Sequence, residues 1–250
     1  VQNSLPNVSA GNDTTACVSS SITLSGSGAT TYAWSNGITN NMPFTQPAGI
    51  VTYTVTGTDA NGCTNTDVVT VTTVPGPVVT LNTLNPVTCY GGNNGSILTS
   101  VTGGVAPIQY SWTGSPSTST NAMNLTSGNY ALTATDNSGC VGSLSFTVTQ
   151  PDSITVTDSI IHYDCGISTG SILLTTSGGT PAYNYTWTPP ISTSNEVVDL
   201  LNGNYQLVIT DGNNCTKTVA YIIDNLNTPL FTFNSSTTTL KTLIRYDVTL

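Results

Sequence analysis

The chain has 250 residues, 3 of them basic and 12 acidic, for a net charge of -9. Three basic residues cannot form the clustered footprint that nucleic-acid phosphates or an anionic membrane surface require, and no apolar run approaches the ~20 residues of a membrane-crossing helix. Helix formers are not concentrated at helical spacing, whereas short alternating stretches broken by Gly, Asn, Asp and Pro recur throughout, which predicts an all-β chain. Charged residues make up only 6%, so Thr, Ser, Asn and Gly hold surface positions that Lys and Glu usually fill. No basic-then-apolar signal opens the chain, which reads as a mature or excised piece.

The first predicted module spans 1–75. It carries Cys17, a strand beginning at Ser21-Ile22, the pair Tyr32/Trp34, and the phrase "YTVTGTDANGC" from Tyr53 to Cys63. Proline in "TVPGPVV" (Thr73–Val79) ends the strand and stiffens a short joint. The second module, 76–151, repeats the landmarks as Cys89, Gly95-Ser96, Tyr110/Trp112 and "YALTATDNSGC", which ends at Cys140. After "TQPDSI" the third module, 152–225, repeats them as Cys165, Gly170-Ser171, Tyr185/Trp187 and "YQLVITDGNNC", ending at Cys215. The second and third modules share a Gly-Gly pair before Tyr-x-Trp, at Gly103-Gly104 and Gly178-Gly179, which the first lacks. Residues 226–250 form a tail that begins a further module or supplies an assembly strand, with Thr239–Leu250 as the segment for an intermolecular contact. A phrase repeated at a near-constant interval marks a repeated module rather than an active site.

Alternation of side chains along a strand puts Tyr130, Leu132, Ala134 and Asp136 on one face, and likewise Tyr205, Leu207, Ile209 and Asp211. Asp59, Asp136 and Asp211 fall where a strand leaves its sheet, so each is expected to cap the following turn by accepting amide hydrogen bonds. Trp34, Trp112 and Trp187 are expected to be core aromatics of β-sandwiches; the competing reading is an exposed platform for sugar. Six cysteines allow 15 connectivities. The pairing that places an identical bridge inside each repeat is Cys17–Cys63, Cys89–Cys140 and Cys165–Cys215. In a loop-entropy model each such bridge, closing about 50 residues, stabilises by roughly 4 kcal/mol. Modules of about 75 residues need such staples, and the bridges imply an oxidising location.

The second and third modules resemble the SprB repeat family, named for a large gliding-motility adhesin of Bacteroidota. The matching elements are Cys89, "GGNNGSI", "GGVAPIQYSW", "NLTSGNYALTATDNSGC" and the closing "FTVTQP", and then Cys165, "STGSI", "GGTPAYNYTW" and "LLNGNYQLVITDGNNC". The third module departs at its close, where "AYIIDN" stands instead of Thr-Gln-Pro. The first module resembles an immunoglobulin- or PKD-like domain of the same surface proteins. The resemblance implies tandem antiparallel β-sandwiches arranged as a rod on a large extracellular cell-surface protein carried by type IX secretion. It implies no catalytic residue. Partners would be neighbouring modules or copies of the same chain, and surface glycans, with no nucleic acid and no direct membrane insertion. It also directs attention to Asp-Ser/Thr sites of O-glycosylation at Thr14, Ser153 and Ser159.

These observations lead to a non-catalytic stalk or filament segment of a secreted adhesin that serves gliding or surface attachment. The alternative is a carbohydrate- or receptor-binding module that uses Tyr90, Tyr163 and Tyr183. An enzyme is disfavoured: His162 is the only histidine, Glu196 the only glutamate, and no zinc pattern or paired-carboxylate signature occurs. No cofactor is expected. Calcium at the joints, through Asp152, Asp158, Asp164 and Asp224, is the one metal considered, and isolated solvated carboxylates are the competing reading.

Overall fold

The computed structural model describes residues 4–162 and 169–225. Cys165, Tyr163, Asp164 and the tail 226–250 lie outside them, and so do the expectations placed on those residues. Among the described residues the structure is all-β, broken by a single 3-10 turn at Ser35–Gly37. No helix among the described residues is long and apolar enough to cross a membrane.

The chain forms two compact units. One contains the described residues up to Pro86 together with Asn93–Thr149; the other contains Val87–Gly92 together with the described residues from Gln150 onward. The short segment carrying Cys89 therefore belongs to the second unit, although it lies in sequence within the second repeat.

In the first unit, the first repeat supplies β1 (Thr14–Cys17), β2 (Ile22–Thr23), β3 (Thr31–Trp34), β4 (Pro43–Phe44), β5 (Gly49–Thr58) and β6 (Thr64–Val74). These make a four-stranded sheet ordered β1-β6-β5-β3, with β1 parallel to β6, and a small β2-β4 sheet. The long hairpin β5–β6 alternates cleanly. Tyr53 and Val55 on β5, and Val69 and Val71 on β6, turn inward to Ile22, Leu24 and Trp34, as half-buried strands do.

The second repeat supplies β7 (Val78–Asn85), β8 (Gly95–Thr102), β9 (Gln109–Thr113), β10 (Ala122–Leu125), β11 (Gly128–Thr135) and β12 (Val141–Val148). They form two three-stranded sheets, β10-β8-β7 and β12-β11-β9. The second unit repeats this plan with β13 (Thr155–Ile161), β14 (Gly170–Ser177), β15 (Asn184–Thr188), β16 (Glu196–Leu200), β17 (Gly203–Thr210) and β18 (Thr216–Ile223), in sheets β13-β14-β16 and β15-β17-β18. In each set the first, second and fourth strands make one sheet and the third, fifth and sixth the other, an immunoglobulin-like arrangement.

The cores follow from this plan. Trp112 stands opposite Leu132 and Trp187 opposite Leu207 in the cross-strand register. Both leucines are fully buried, and truncating either to alanine should cost about 2–5 kcal/mol. Each Trp of these two sets packs a tilted ring on the last strand, Trp112 on Phe146 and Trp187 on Tyr221, with centroids 5.8 Å apart in both cases. Tyr130 donates its hydroxyl to the carbonyl of Thr126, and Tyr205 to that of Leu201, each at 2.9 Å. Both tyrosines open the fifth strand of their set and tie it to the loop before it, the geometry of a tyrosine corner.

Candidate functional site

The repeated Tyr–Asp–Cys phrase builds the same turn three times. In the β11–β12 hairpin, Asp136 Oδ1 accepts the amides of Ser138 (2.9 Å) and Cys140 (2.8 Å). The Asp136 amide donates to the Cys140 carbonyl, and Gly139 N–H returns to the Asp136 carbonyl, both at 3.0 Å. Asp211 does the same with Asn213 and Cys215, each at 2.9 Å. Asp59 does it with Asn61 and Cys63, each at 2.8 Å. The fourth turn residue has positive φ in every copy, at Gly62 (81°), Gly139 (80°) and Asn214 (63°), so Gly or Asn fits there while a β-branched residue would strain.

The second and third copies add a bond that the first does not make. Asp136 Oδ2 accepts Val105 N–H, and Asp211 Oδ2 accepts Thr180 N–H, both at 2.9 Å. The two Gly-Gly pairs allow this approach. All four glycines have positive φ, and a Cβ on Gly179 would lie 2.6 Å from Asp211 Oδ2. Asp136 and Asp211 are thereby buried, while Asp59 is half-exposed. The amide of Val105 is the strongest influence on Asp136; with those of Cys140 and Ser138 it outweighs desolvation and holds the carboxyl below its ordinary value. For Asp211 desolvation is the largest single influence and works upward, but the amides of Thr180, Cys215 and Asn213 together overcome it and hold that carboxyl low as well.

The cysteines at the ends of these turns correct the expected pairing. Cys17 bonds Cys140, and Cys89 bonds Cys215, with Cα atoms 5.5 and 5.6 Å apart. Cys63 is a free thiol. Cys17–Cys63 and Cys89–Cys140 do not form, and the expected Cys165–Cys215 bridge is overturned because Cys215 is bonded to Cys89; Cys165 itself lies outside the described residues.

Strand length supplies the reason. Cys17 sits beside Val74, the last residue of β6, while Cys63 immediately precedes Thr64, the first. Ten residue steps of strand separate these ends by about 33 Å, and a disulfide tolerates at most about 7 Å between Cα atoms. Cys140 lies against Gly76, before β7 begins, where an added Cβ would stand 3.1 Å from Cys140 Cβ. Cys89 comes only after the eight residues of β7. Each cystine therefore joins the first cysteine of one repeat to the second cysteine of the next.

The Cys89 segment is held closely. Asn213 Nδ2 donates to the Thr88 carbonyl at 3.1 Å, and Gly91 N–H donates to Gln150 Oε1 at 2.8 Å. Val87 is 1% exposed. Gln150 is the glutamine of the Thr-Gln-Pro ending, so this part of the repeated phrase anchors the loop that carries the bridge.

The remaining sequence candidates separate by environment. Trp34, Trp112 and Trp187 are all buried. Their indole N–H groups donate to Asn40 Oδ1, the Ser119 carbonyl and the Ser194 carbonyl, at 3.0, 2.8 and 3.1 Å. Tyr183 is half-buried against the core, with its hydroxyl donated to the Gly178 carbonyl. Tyr90 is 61% exposed and lines a groove of about 290 Å³ with Asp152, Ser153, Asn214 and Lys217. His162 Nδ1 accepts Asp224 N–H at 3.2 Å. Among the described residues no three His, Cys, Asp or Glu side chains are gathered as for a metal ion. Thr14 and Ser159 are exposed and Ser153 is half-exposed.

Sequence reasoning missed Asp13 and Asp67. Asp67 Oδ2 accepts Ala10 N–H at 2.8 Å, and Asp13 Oδ1 accepts Thr70 N–H at 2.7 Å. Together they fasten the leading segment to β6. The amides of Ala10 and Val68 hold the Asp67 carboxyl below its ordinary value against desolvation. Neither aspartate recurs in the other copies of the phrase, so repetition could not flag them.

Two stretches of the chain, 81–117 and 164–190, match the SprB repeat, so the second and third modules carry SprB-type repeats. No curated protein sequence matches the chain. Among solved structures it is similar to the N-terminal eight Ig domains of Down Syndrome Cell Adhesion Molecule isoform 1.30.30, at 14% identity and TM-score 0.45. That similarity covers 89% of this chain and 36% of that one. It is also similar to titin domains I67–I69 (11% identity, TM-score 0.34, 87% and 98% covered). A third is the C-terminal 282-residue fragment of intimin in complex with the intimin-binding domain of its translocated receptor (16% identity, TM-score 0.33, 58% and 64% covered). At these scores the neighbours add nothing to the sandwich architecture already described.

Proposed function

We propose that this chain, which bears two SprB repeats, is a non-catalytic structural segment of a large secreted bacterial cell-surface adhesin. In this reading it is a stalk or filament piece in which load passes from repeat to repeat through cystines as well as through backbone, in the service of surface attachment or gliding. The observation that carries the reading is the pair of cystines that each join consecutive repeats. Both lie beside a buried aspartate turn whose carboxylate accepts three backbone amides. Disulfides of this kind belong to oxidising, extracellular surroundings.

Pulling the chain tests the reading. The backbone from Cys17 to Cys215 runs 198 residues, but with both cystines closed the shortest covalent path passes through the 51 residues between Cys140 and Cys89. At about 3.5 Å per extended residue, that segment should lengthen to no more than about 180 Å without reductant and to about 700 Å with it. The longer extension in the absence of reductant would remove the load-sharing role.

The exposed Tyr90 at its groove favours a second reading, a carbohydrate-binding module. A glycan array on which the wild-type chain binds and Tyr90→Ala does not would select it. Equal signals from the two would reject it.

A further inference from the structure

The pairing rule leaves one vacancy among the described residues. Cys140 and Cys215, each four residues after its turn aspartate, are bonded to the first cysteine of the preceding repeat. Cys63 occupies the same position after Asp59. Its amide bonds the aspartate at 2.8 Å, and its carbonyl receives the Asp59 amide at 3.0 Å, as in the other two turns. It is half-exposed and unbonded.

The surroundings of Cys63 also match those of a filled site. Two residues after Cys140, Gly142 lies against the Pro77 carbonyl, which an added Cβ would approach to 1.8 Å. Two residues after Cys63, Asn65 Nδ2 donates to the Pro6 carbonyl at 2.9 Å. The two prolines thus hold equivalent places beside their turns. The residue before Pro77 is Gly76, which lies against Cys140. The residue before Pro6 is Leu5, which is 65% exposed. The first repeat thus shows, at its Cys63 end, the face that the second repeat joins to Cys17, with an apolar residue left uncovered.

From these matches we infer that Cys63 is the receiving half of a third inter-repeat cystine. Its partner is a cysteine that leads a repeat of this kind, placed as Cys17 and Cys89 are. Both known donors share a local form: an amide three residues later, that of Ser20 or Gly92, returns to the cysteine carbonyl at 3.0 Å. The bond forms when two thiols give up two protons and two electrons to a disulfide oxidant, which is reduced to two thiols. The inference rests on the register of the two observed cystines and not on the cellular role proposed above, so each can fail alone.

The test uses the protein as it stands on its cells. Thiols are blocked with iodoacetamide before extraction, and the protein is digested without reductant and mapped. Cys63 is expected in a cystine with the leading cysteine of another repeat. Electrophoresis without reductant separates the two sources of that repeat: one within the same polypeptide leaves a single band, and one on another chain gives a ladder that reductant collapses. In Cys63→Ser the partner cysteine is expected to pass from unlabelled to fully alkylated, while Cys17–Cys140 and Cys89–Cys215 persist. Alkylated Cys63 in the wild type, a bond from Cys63 to a turn cysteine, or a partner that stays oxidised in Cys63→Ser would each overturn the inference.

Discussion

The aspartate turn of the first repeat and those of the second and third are nearly the same in sequence, yet they differ in what closes over them. Asp59 accepts two amides of its own turn, remains half-exposed, and precedes a free thiol. Asp136 and Asp211 accept a third amide from the loop after the Gly-Gly pair, are buried, and precede a cystine. The local phrase makes the turn, and the glycine pair, whose following residue lies 31 positions before the aspartate, converts it into a buried clamp only where the backbone can approach the carboxylate.

The largest way to break this contrast is to remove a cystine. Replacing Cys17 and Cys140 together by serine should lower the stability of the first unit by roughly 5 kcal/mol in the loop-entropy model, given a sequence separation of 123 residues. Chemical denaturation read by tryptophan fluorescence measures it. An unchanged midpoint would show that the bridge constrains nothing.

Removing the clamp should come next. Asp211→Ala leaves three amides without their acceptor in a buried turn and should cost about 3 kcal/mol. Asp59→Ala, at a half-exposed turn, should cost about 1 kcal/mol. Equal losses at the two sites would erase the distinction drawn between them.

The glycine pair offers a narrower probe. Gly179→Ala places a methyl group against Asp211 Oδ2 and Ile154 at a φ of 59°, and should cost about 2 kcal/mol. Gly62→Ala has positive φ but open space around it, so it should cost about 1 kcal/mol. The difference between the two isolates close approach from backbone conformation, and melting temperatures report it.

Acid should act on the same carboxylates. Asp136 and Asp211 have lowered pKa values in the folded chain, so the unfolded chain binds more protons than the folded one in the acid range. Their contribution is complete above the unfolded value of about 3.9 and is lost as pH falls below it through the folded values. A chain carrying both Asp136→Asn and Asp211→Asn should therefore lose less stability between neutral and acid pH than wild type. Parallel pH profiles would contradict this.

Much of the fold was legible in the residues. Alternation placed Tyr130, Leu132, Ala134 and Asp136 on one buried face, and they are buried together. The phrase placed an amide-accepting aspartate at each turn, and each accepts the amides expected of it. The loop contact from Val105 and Thr180 was not legible, because the amides that meet Asp136 and Asp211 come from residues 31 positions earlier in the chain. Nor was the fastening of the leading segment by Asp13 and Asp67, which occurs in one repeat only.

By itself the amino-acid order determined three strand-rich repeats, their inward faces and their turn chemistry, because these depend on contacts a few residues apart and on the two-residue period of a strand. Only the tertiary structure decided which cysteines meet. Two registers of pairing are equally regular along the chain, one within each repeat and one shifted by a repeat. Sequence distance does not say at which end of a sandwich a cysteine lies. Strands of eight and eleven residues, β7 and β6, hold the expected partners too far apart, and the joints bring the others together.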